Sequence, residues 1–196
     1  MLGKTNLLNA IAGKKRGNMA SQTEKQAILA AIASLEDLNP TPRPFEALNV
    51  NLLDGNWRLV YTTSQELLNL DRIPLCQVNS IYQCIRVADK TIYNLAEISG
   101  LPYLEGLISV AAKFEPISER RVQVKFERGV VGLQRFLRYQ SPNDLINRMQ
   151  TGNKLSPIDF AINSDRQQGW LDITYLDEDL RIGRGNEGSV FVLTKT

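Results

Sequence analysis

The carboxyl-terminal part of the chain constrains the fold more than any other stretch. Residues 170–193 read WLDITYLDEDLRIGRGNEGSVFVL, which contains three short apolar runs separated by two polar turns. Residues 53–64 read LDGNWRLVYTTS and place a Gly-x-Trp sequence at the start of an alternating run. Short alternating runs bounded by turn residues are typical of antiparallel strands. We therefore expect a sheet whose first strand, at Trp57, meets its last strands, so that the sheet closes on itself.

The segment between these two stretches has the same character. In the run VQVKFER, Val122, Val124 and Phe126 lie on one face of a strand and polar residues lie on the other. No helical pattern separates the runs, so parallel strands joined by crossover helices are not expected. We predict a mainly β fold, an antiparallel up-and-down β-barrel of about eight or nine strands with α-helices before it. The predicted strands include residues 56–63, 78–87, 91–98, 107–114, 122–128 and 133–139, and residues 150–168 are predicted as an irregular loop or lid.

A capped helix is predicted before the barrel. Ser21 and Glu24 form a Ser-x-x-Glu capping box directly before the apolar run 27–38. Prolines follow this run and predict an extended linker. We therefore divide the chain into residues 1–44, a helical segment with a Pro-rich linker, and residues 45–196, the barrel domain. The apolar stripe of the helix comprises Ile28, Ala31, Ile32, Leu35 and Leu38.

An earlier, shorter helix is predicted over residues 5–12, and a basic cluster follows it. The helix has one apolar face, and the cluster consists of three consecutive cations with no acidic residue nearby. Two interpretations remain open. The segment either lies on an anionic membrane surface as a peripheral contact, or packs on the barrel with its cations in water. The apolar face comprises Leu7, Leu8 and Ile11, and the candidate membrane-surface residues are Lys14, Lys15 and Arg16.

The composition argues against several classes of function. The chain has no histidine, which excludes Ser-His-Asp and Cys-His nucleophiles and His-ligated metals. Its two cysteines, Cys76 and Cys84, are too few for a disulfide framework or a closed zinc site. A net charge of +2 does not indicate nucleic-acid binding. We expect no enzyme activity, no metal, no cofactor and no nucleic-acid partner.

Two motifs match functional patterns only in letters. Residues 183–188 read GRGNEG, which fits the Gly-x-Gly-x-x-Gly dinucleotide fingerprint. That fingerprint needs a following helix, whereas a strand-like run follows here, so a glycine-rich hairpin is the better interpretation. The acidic run at residues 177–179 has no calcium-loop spacing and is predicted as a hairpin turn.

Four stretches together resemble the plastid lipid-associated protein family, also called fibrillins or plastoglobulins. They are LLNAIAGKKRG, LDGNWRLVYTTS, SIYQCI and LDITYLDEDLRIGRGNEGSVFVL. The resemblance covers nearly the whole chain, and it implies a lipocalin-like barrel that associates with thylakoids or lipid globules. The absence of a long Ser- and Arg-rich transit segment suggests a cyanobacterial-type member, thylakoid-associated or cytoplasmic, or a mature plastid form.

The family resemblance implies a structural or carrier protein for apolar isoprenoid-type lipids such as prenylquinones and carotenoids. Two alternatives stay open: a lipocalin-like bilin lyase, and a protein-interaction scaffold whose barrel is filled. The Gly-x-Trp sequence is also similar to that of lipocalins, in which an arginine covers the indole. If Leu180 and Ile182 point inward, Arg184 shares their parity and is the arginine expected over Trp57. The candidate ligand-binding residues are Trp57, Leu59, Tyr61, Val122, Val124, Phe126 and Arg184.

Overall fold

A computed structural model describes residues 2–70, 77–100, 103–156, 158–163 and 168–196, without the side chains of Leu2, Gln168 and Glu187. The helices are α1 Leu2–Ile11, α2 Gln22–Glu36, α3 Val50–Leu53, α4 Gln65–Leu70 and α5 Pro142–Gln150. The strands are β1 Gly55–Thr62, β2 Gln77–Arg86, β3 Thr91–Ser99, β4 Gly106–Pro116, β5 Arg121–Leu133, β6 Ile158–Ala161, β7 Gln168–Leu176, β8 Leu180–Gly185 and β9 Val190–Lys195.

The nine strands form one antiparallel sheet that closes in a ring. Neighbours in the chain are neighbours in the sheet from β1 to β5 and from β7 to β9, and the pairing of β1 with β9 completes the ring. β5 pairs with β7 through residues 121–125 and with β6 through residues 128–131. The mainly β, antiparallel, barrel-like architecture with helices before it is thus confirmed.

Two stretches differ from the predicted elements. Residues 133–139 do not form a strand, because β5 continues unbroken to Leu133 and residues 134–138 turn, with Arg138 at a positive φ of 47°. Part of the predicted loop 150–168 forms β6, whose backbone pairs with residues 128–131 of β5. Such short edge strands carry little periodic signal in the sequence.

The amino-terminal helices cover part of the outer face of the ring. The capping box is present, since the Ser21 hydroxyl accepts from the Glu24 N–H and the Glu24 carboxylate accepts from the Ser21 N–H. Leu38 is 75% exposed rather than buried with the stripe, because α2 ends at Glu36. None of the helices in the described part of the chain combines the length and apolar character needed to cross a membrane. The buried residues shared by these helices and the sheet are Leu7, Ile11, Ala20, Ile28, Ile32, Leu35, Tyr61, Tyr175, Leu180, Ile182, Val190 and Val192.

A second helix layer covers the opposite side of the ring. α5 begins at Pro142, and the Ser141 hydroxyl caps it by accepting from the Asp144 N–H. Its buried residues pack on the outer face of β2, β3, β4 and β5. Both faces of most strands are therefore buried, inside the ring and beneath the helices.

Irregularities in two strands decide which residues point inward. The register of β1 against β9 shifts between Leu59 and Tyr61, so Trp57 and Leu59 lie inside the ring while Tyr61 faces α1 and α2. β7 has an equivalent shift between Ile173 and Tyr175. Because an extra residue reverses the alternation of a strand, both tyrosines join the outer cluster.

Candidate functional site

The interior of the ring has a closed end at the start of β1. Trp57 is fully buried there, and its indole N–H donates to the Leu53 carbonyl at 2.8 Å. Leu53 ends α3, and with Phe45 it packs across this end of the ring. The linker before β1 therefore closes the barrel beneath Trp57.

Arg181 is the arginine that covers Trp57, so the expectation for Arg184 was wrong. The guanidinium carbon of Arg181 lies 5.1 Å from the centroid of the indole ring. Leu180 and Ile182 point outward to the helices, which reverses the parity assumed from their apolar character. Arg184 also points outward, where its Nη2 lies 2.6 Å from a carboxylate oxygen of Glu36 on α2.

The surroundings of Arg181 are unusual for a charged group. The side chain is 1% exposed, and its Nη2 donates to Oε1 of Gln83. Its Nε and Nη1 have no hydrogen-bond partner among the residues that the structure describes. Burial lowers the pKa of the Arg181 guanidinium because desolvation disfavours the charged form. Gln83 in turn donates from Nε2 to Oδ1 of Asn94 at 3.0 Å, which forms a polar chain inside an otherwise apolar ring.

The closed end is tightly packed. A cavity of about 10 Å³ remains beside Arg181, which is room for about one water molecule. This part of the interior is therefore filled by the protein's own side chains. The lining residues are Phe45, Leu53, Ile85, Ile92, Phe114, Val122, Leu171, Ile173 and Arg181.

Strand pairing shows which residues face the interior farther along the ring. Directly opposite residues on paired strands lie on the same face of a sheet. Trp57 is opposite Gln83, Gln83 is opposite Asn94, and Asn94 is opposite Val110. Val110 is opposite Gly129 of β5. Because Trp57 points inward, the whole row points inward.

Several inward residues on β4, β5 and β6 are partly exposed to solvent. Ile108 is opposite Ala96, which belongs to the interior cluster, and Val131 is opposite both Ile108 and Ile158. Ile158 is 56% exposed and Phe160 is 50% exposed. Solvent therefore reaches the interior on this side, away from Trp57. We call this surface the open inner face, and it consists of Ile108, Val110, Val124, Phe126, Val131, Ile158 and Phe160.

The structure places the predicted ligand-binding residues in three locations. Leu59, Val122 and Val124 belong to the interior cluster with Trp57. Phe126 is opposite Ala112 and, like Val124, belongs to the open inner face. Tyr61 and Arg184 lie outside the ring beneath or beside α2. Sequence reasoning missed Arg181, Gln83, Asn94, Ile158 and Phe160, and no local pattern in the sequence marks them.

The predicted membrane-surface residues are partly engaged within the protein. Lys14 Nζ lies 2.6 Å from the Glu24 carboxylate, and Arg16 donates to the Val78 carbonyl at 3.0 Å. Lys15 is exposed. Lys15 and Arg16, together with Arg58 of β1, line an open surface cleft of about 300 Å³. Leu7 and Ile11 are buried against the sheet, so the apolar face of α1 is not directed at solvent.

The described residues contain no group of three or more Cys, Asp or Glu side chains placed to bind a metal ion. Cys84 is buried on the outer face beneath α5, and desolvation raises the pKa of its thiol to about 12. Cys76 lies outside the described residues. The glycine-rich stretch 183–188 joins β8 to β9 through a short turn, as the hairpin interpretation predicted.

This geometry defines a barrel-like β protein with a filled closed end, a buried arginine and an apolar interior that opens on one side. The family model PAP_fibrillin matches residues 1–194, and the chain belongs to this family of plastid lipid-associated proteins. The resemblance stated from the sequence is thereby confirmed, while a cyanobacterial type stays a prediction.

Several plant proteins are similar along the chain. A chromoplast-specific carotenoid-associated protein of Cucumis sativus is 38% identical over 98% of this chain and 67% of its own length. A light-induced chloroplastic protein of Solanum tuberosum is 38% identical over 98% of this chain and 66% of its own length. A probable plastid-lipid-associated protein 2 of Arabidopsis thaliana is 36% identical over 98% and 70%. The chain thus spans about two thirds of the length of these relatives.

Proposed function

We propose that this chain binds one apolar isoprenoid-type lipid, a prenylquinone or a carotenoid, on its open inner face. The observation that carries the proposal is the exposure of large apolar side chains on a surface that points into the ring. Ile158 and Phe160 are each at least half exposed, and contiguous exposed apolar surface on a soluble domain commonly marks a binding site. A lipid tail covering these side chains would remove them from water.

The composition of this surface supports a flexible aliphatic ligand. Aliphatic side chains outnumber the two phenylalanines, and the amides of Gln83 and Asn94 are polar groups directed toward the interior nearby. Burial of apolar surface contributes roughly 25 cal/mol per Å², so partial coverage of a long tail is sufficient for binding. The closed end is filled, which limits the tail to the open side.

The relatives support the cellular setting. The names of the Cucumis, Solanum and Arabidopsis proteins place them in chromoplasts or chloroplasts, and one name includes carotenoid association. We propose a plastid-type setting at thylakoid membranes or lipid globules, with a structural or carrier role rather than catalysis. The exposed Lys15 and the cleft that it forms with Arg16 and Arg58 support peripheral contact with anionic lipid head groups.

The filled closed end favours a second candidate, a protein-interaction scaffold whose ring only supports its outer surfaces. A cavity of about 10 Å³ holds no lipid without rearrangement. The two candidates differ in one respect, since a scaffold has no saturable lipid site.

A matched pair of variants tests the lipid site. Ile158 lies on the open inner face and Ile117 lies in the β4–β5 turn at the closed end, and their exposures are 56% and 57%. A short-chain prenylquinone is titrated into each protein while tryptophan fluorescence is recorded. We expect saturable quenching at one ligand per chain, about tenfold weaker binding for Ile158→Asp, and unchanged binding for Ile117→Asp.

Organic extraction of the purified protein followed by mass spectrometry identifies the lipid that it carries. Absence of saturable binding in the parent protein would favour the scaffold. Equal affinities in the two variants would move the lipid away from the open inner face.

A further inference from the structure

Arg181 brings a positive charge into the apolar interior without a matching negative charge. Among the described residues, no ion pair includes its guanidinium. A guanidinium has five N–H donors and remains charged in proteins, yet within the described part of the chain only Nη2 has a partner. A buried charge is costly unless it is paired and hydrogen-bonded. A further acceptor that reaches Nε or Nη1 would therefore offset part of this cost.

The polar chain from Arg181 leads toward the open inner face. Gln83 accepts from Arg181 and donates to Asn94, and both amide side chains are partly exposed. Asn94 is directly opposite Val110 on the open inner face. A ligand whose tail covers Val110 thus has its polar end next to the polar chain that leads to the buried cation.

The dimensions favour one head-group class. A carboxylate is planar and small, accepts several hydrogen bonds, and matches the fork of a guanidinium. The space beside Arg181 is about 10 Å³, the room of about one water molecule, so a head group enters only if neighbouring side chains move. A planar carboxylate needs less displacement than a tetrahedral phosphate.

We propose that Arg181 anchors the carboxylate of a long-chain amphiphile whose tail lies along the open inner face. This inference rests on the proposed function for the position of the tail, and extends it by the head group that the interior selects. Neutral isoprenoids occupy the same face without using the cation. The site accordingly prefers an acid to an uncharged lipid of the same chain length.

The test compares two ligands that differ only in the head group, dodecanoate and methyl dodecanoate. Fluorescence is recorded in a Trp170→Phe background, in which Trp57 is the remaining tryptophan and lies 5.1 Å from the guanidinium. We expect dodecanoate to bind about tenfold more tightly than its ester, because a charge-assisted hydrogen bond is lost in the ester. Arg181→Gln should bring the two affinities within about twofold. Arg184→Gln, which removes an outward arginine, should keep the tenfold preference.

The outcomes separate this inference from the proposed function. Equal binding of acid and ester to the parent protein overturns the role of Arg181 while leaving a lipid site in place. Binding of neither ligand, together with no saturable quinone binding, overturns the proposed function. If Arg181→Gln does not fold, Arg181→Lys replaces it, because it keeps the charge and should retain part of the preference for the acid. If neither variant folds, the comparison of acid and ester in the parent protein decides.

Discussion

The guanidinium of Arg181 lies over the indole of Trp57, with 5.1 Å between the guanidinium carbon and the ring centroid. The ammonium of Lys195 lies at the same distance from the ring centroid. The indole N–H is fixed by the Leu53 carbonyl. Cations over an aromatic ring contribute about 0.5–2 kcal/mol each, with the larger values for desolvated pairs. Trp57 therefore connects β1, β8, β9 and α3 at the closed end.

Trp57→Ala should lower the free energy of unfolding by about 3–5 kcal/mol, because it leaves a cavity in a filled interior. Chemical denaturation with urea measures this loss. Trp170→Ala is the control, since Trp170 is partly exposed on the outer face and stacks on Arg121, at 4.1 Å. We expect its cost to remain below about 1.5 kcal/mol. Similar losses in the two variants would mean that Trp57 is not a central core residue.

Asp177 connects the β7–β8 turn to α1 and should make stability depend on pH. Burial alone would raise the pKa of its carboxyl, but donors from the Asp179 backbone, Lys4, Tyr175 and the Leu180 backbone lower this pKa to about 2. The unfolded value is about 3.9. Because the folded pKa is the lower one, the contribution is present above about pH 4 and is lost as the pH falls toward 2.

Asp177→Asn should therefore reduce stability at pH 7 by about 2 kcal/mol and flatten the pH dependence between about pH 5 and 2. Urea denaturation at several pH values measures both effects. Glu178→Gln changes the exposed neighbouring side chain and should alter neither. If the stability of Asp177→Asn falls between about pH 5 and 2 as steeply as that of the parent protein, other carboxylates dominate acid unfolding.

Arg184 and Glu36 join β8 to α2 through two hydrogen bonds, of 2.8 and 2.6 Å. The pair is partly exposed, with 38% of the Arg184 side chain accessible, so we expect Arg184→Gln to cost only about 1 kcal/mol. Because Arg184 points away from the interior, lipid affinity should not change. Unfolding of Arg184→Gln, Glu36→Gln and the double variant measures the coupling energy between the two side chains. Reduced quinone affinity in Arg184→Gln would restore the sequence-based assignment of Arg184 as a ligand contact.

The elements that sequence predicts well here depend on local chemistry. The capping box at Ser21 and Glu24 identified α2, because caps act within a few residues. Strand alternation placed Val122 and Val124 on the inner face correctly. These features needed no knowledge of the rest of the fold.

The failures arise where non-local packing decides the orientation of a side chain. Both faces of β8 are buried, one inside the ring and one beneath the helices, so apolar residues do not mark the inner face. The register shift after Leu59 reverses the direction of Tyr61, and no residue in this run signals it. Phe160 packs against Gly129, and a Cβ atom on Gly129 would lie 2.6 Å from the Phe160 ring. The two residues lie about thirty positions apart in the chain, so no local pattern predicts their contact.

Membrane contact by the amino-terminal segment should depend on Lys15 rather than on insertion of α1. The apolar residues Leu7 and Ile11 are already buried against the sheet, while Lys15 is exposed beside Arg16 and Arg58. A basic residue near an anionic surface contributes about 1 kcal/mol, so reversal of one charge should weaken binding about tenfold or more. Sedimentation with vesicles containing anionic lipids measures the bound fraction.

Lys90→Glu is a matched control for Lys15→Glu. Both lysines are exposed, and both have positive φ angles, 49° for Lys90 and 42° for Lys15. Lys90 lies in the β2–β3 turn at the closed end, away from the basic cleft, so its reversal should leave vesicle binding unchanged. Binding by the parent protein should also fall as salt increases, because the screening length drops from about 10 Å at 0.1 M to about 3 Å at 1 M. Equal binding by the two variants, or binding that is insensitive to salt, would place the membrane contact on another surface, with the open inner face as the next surface to test.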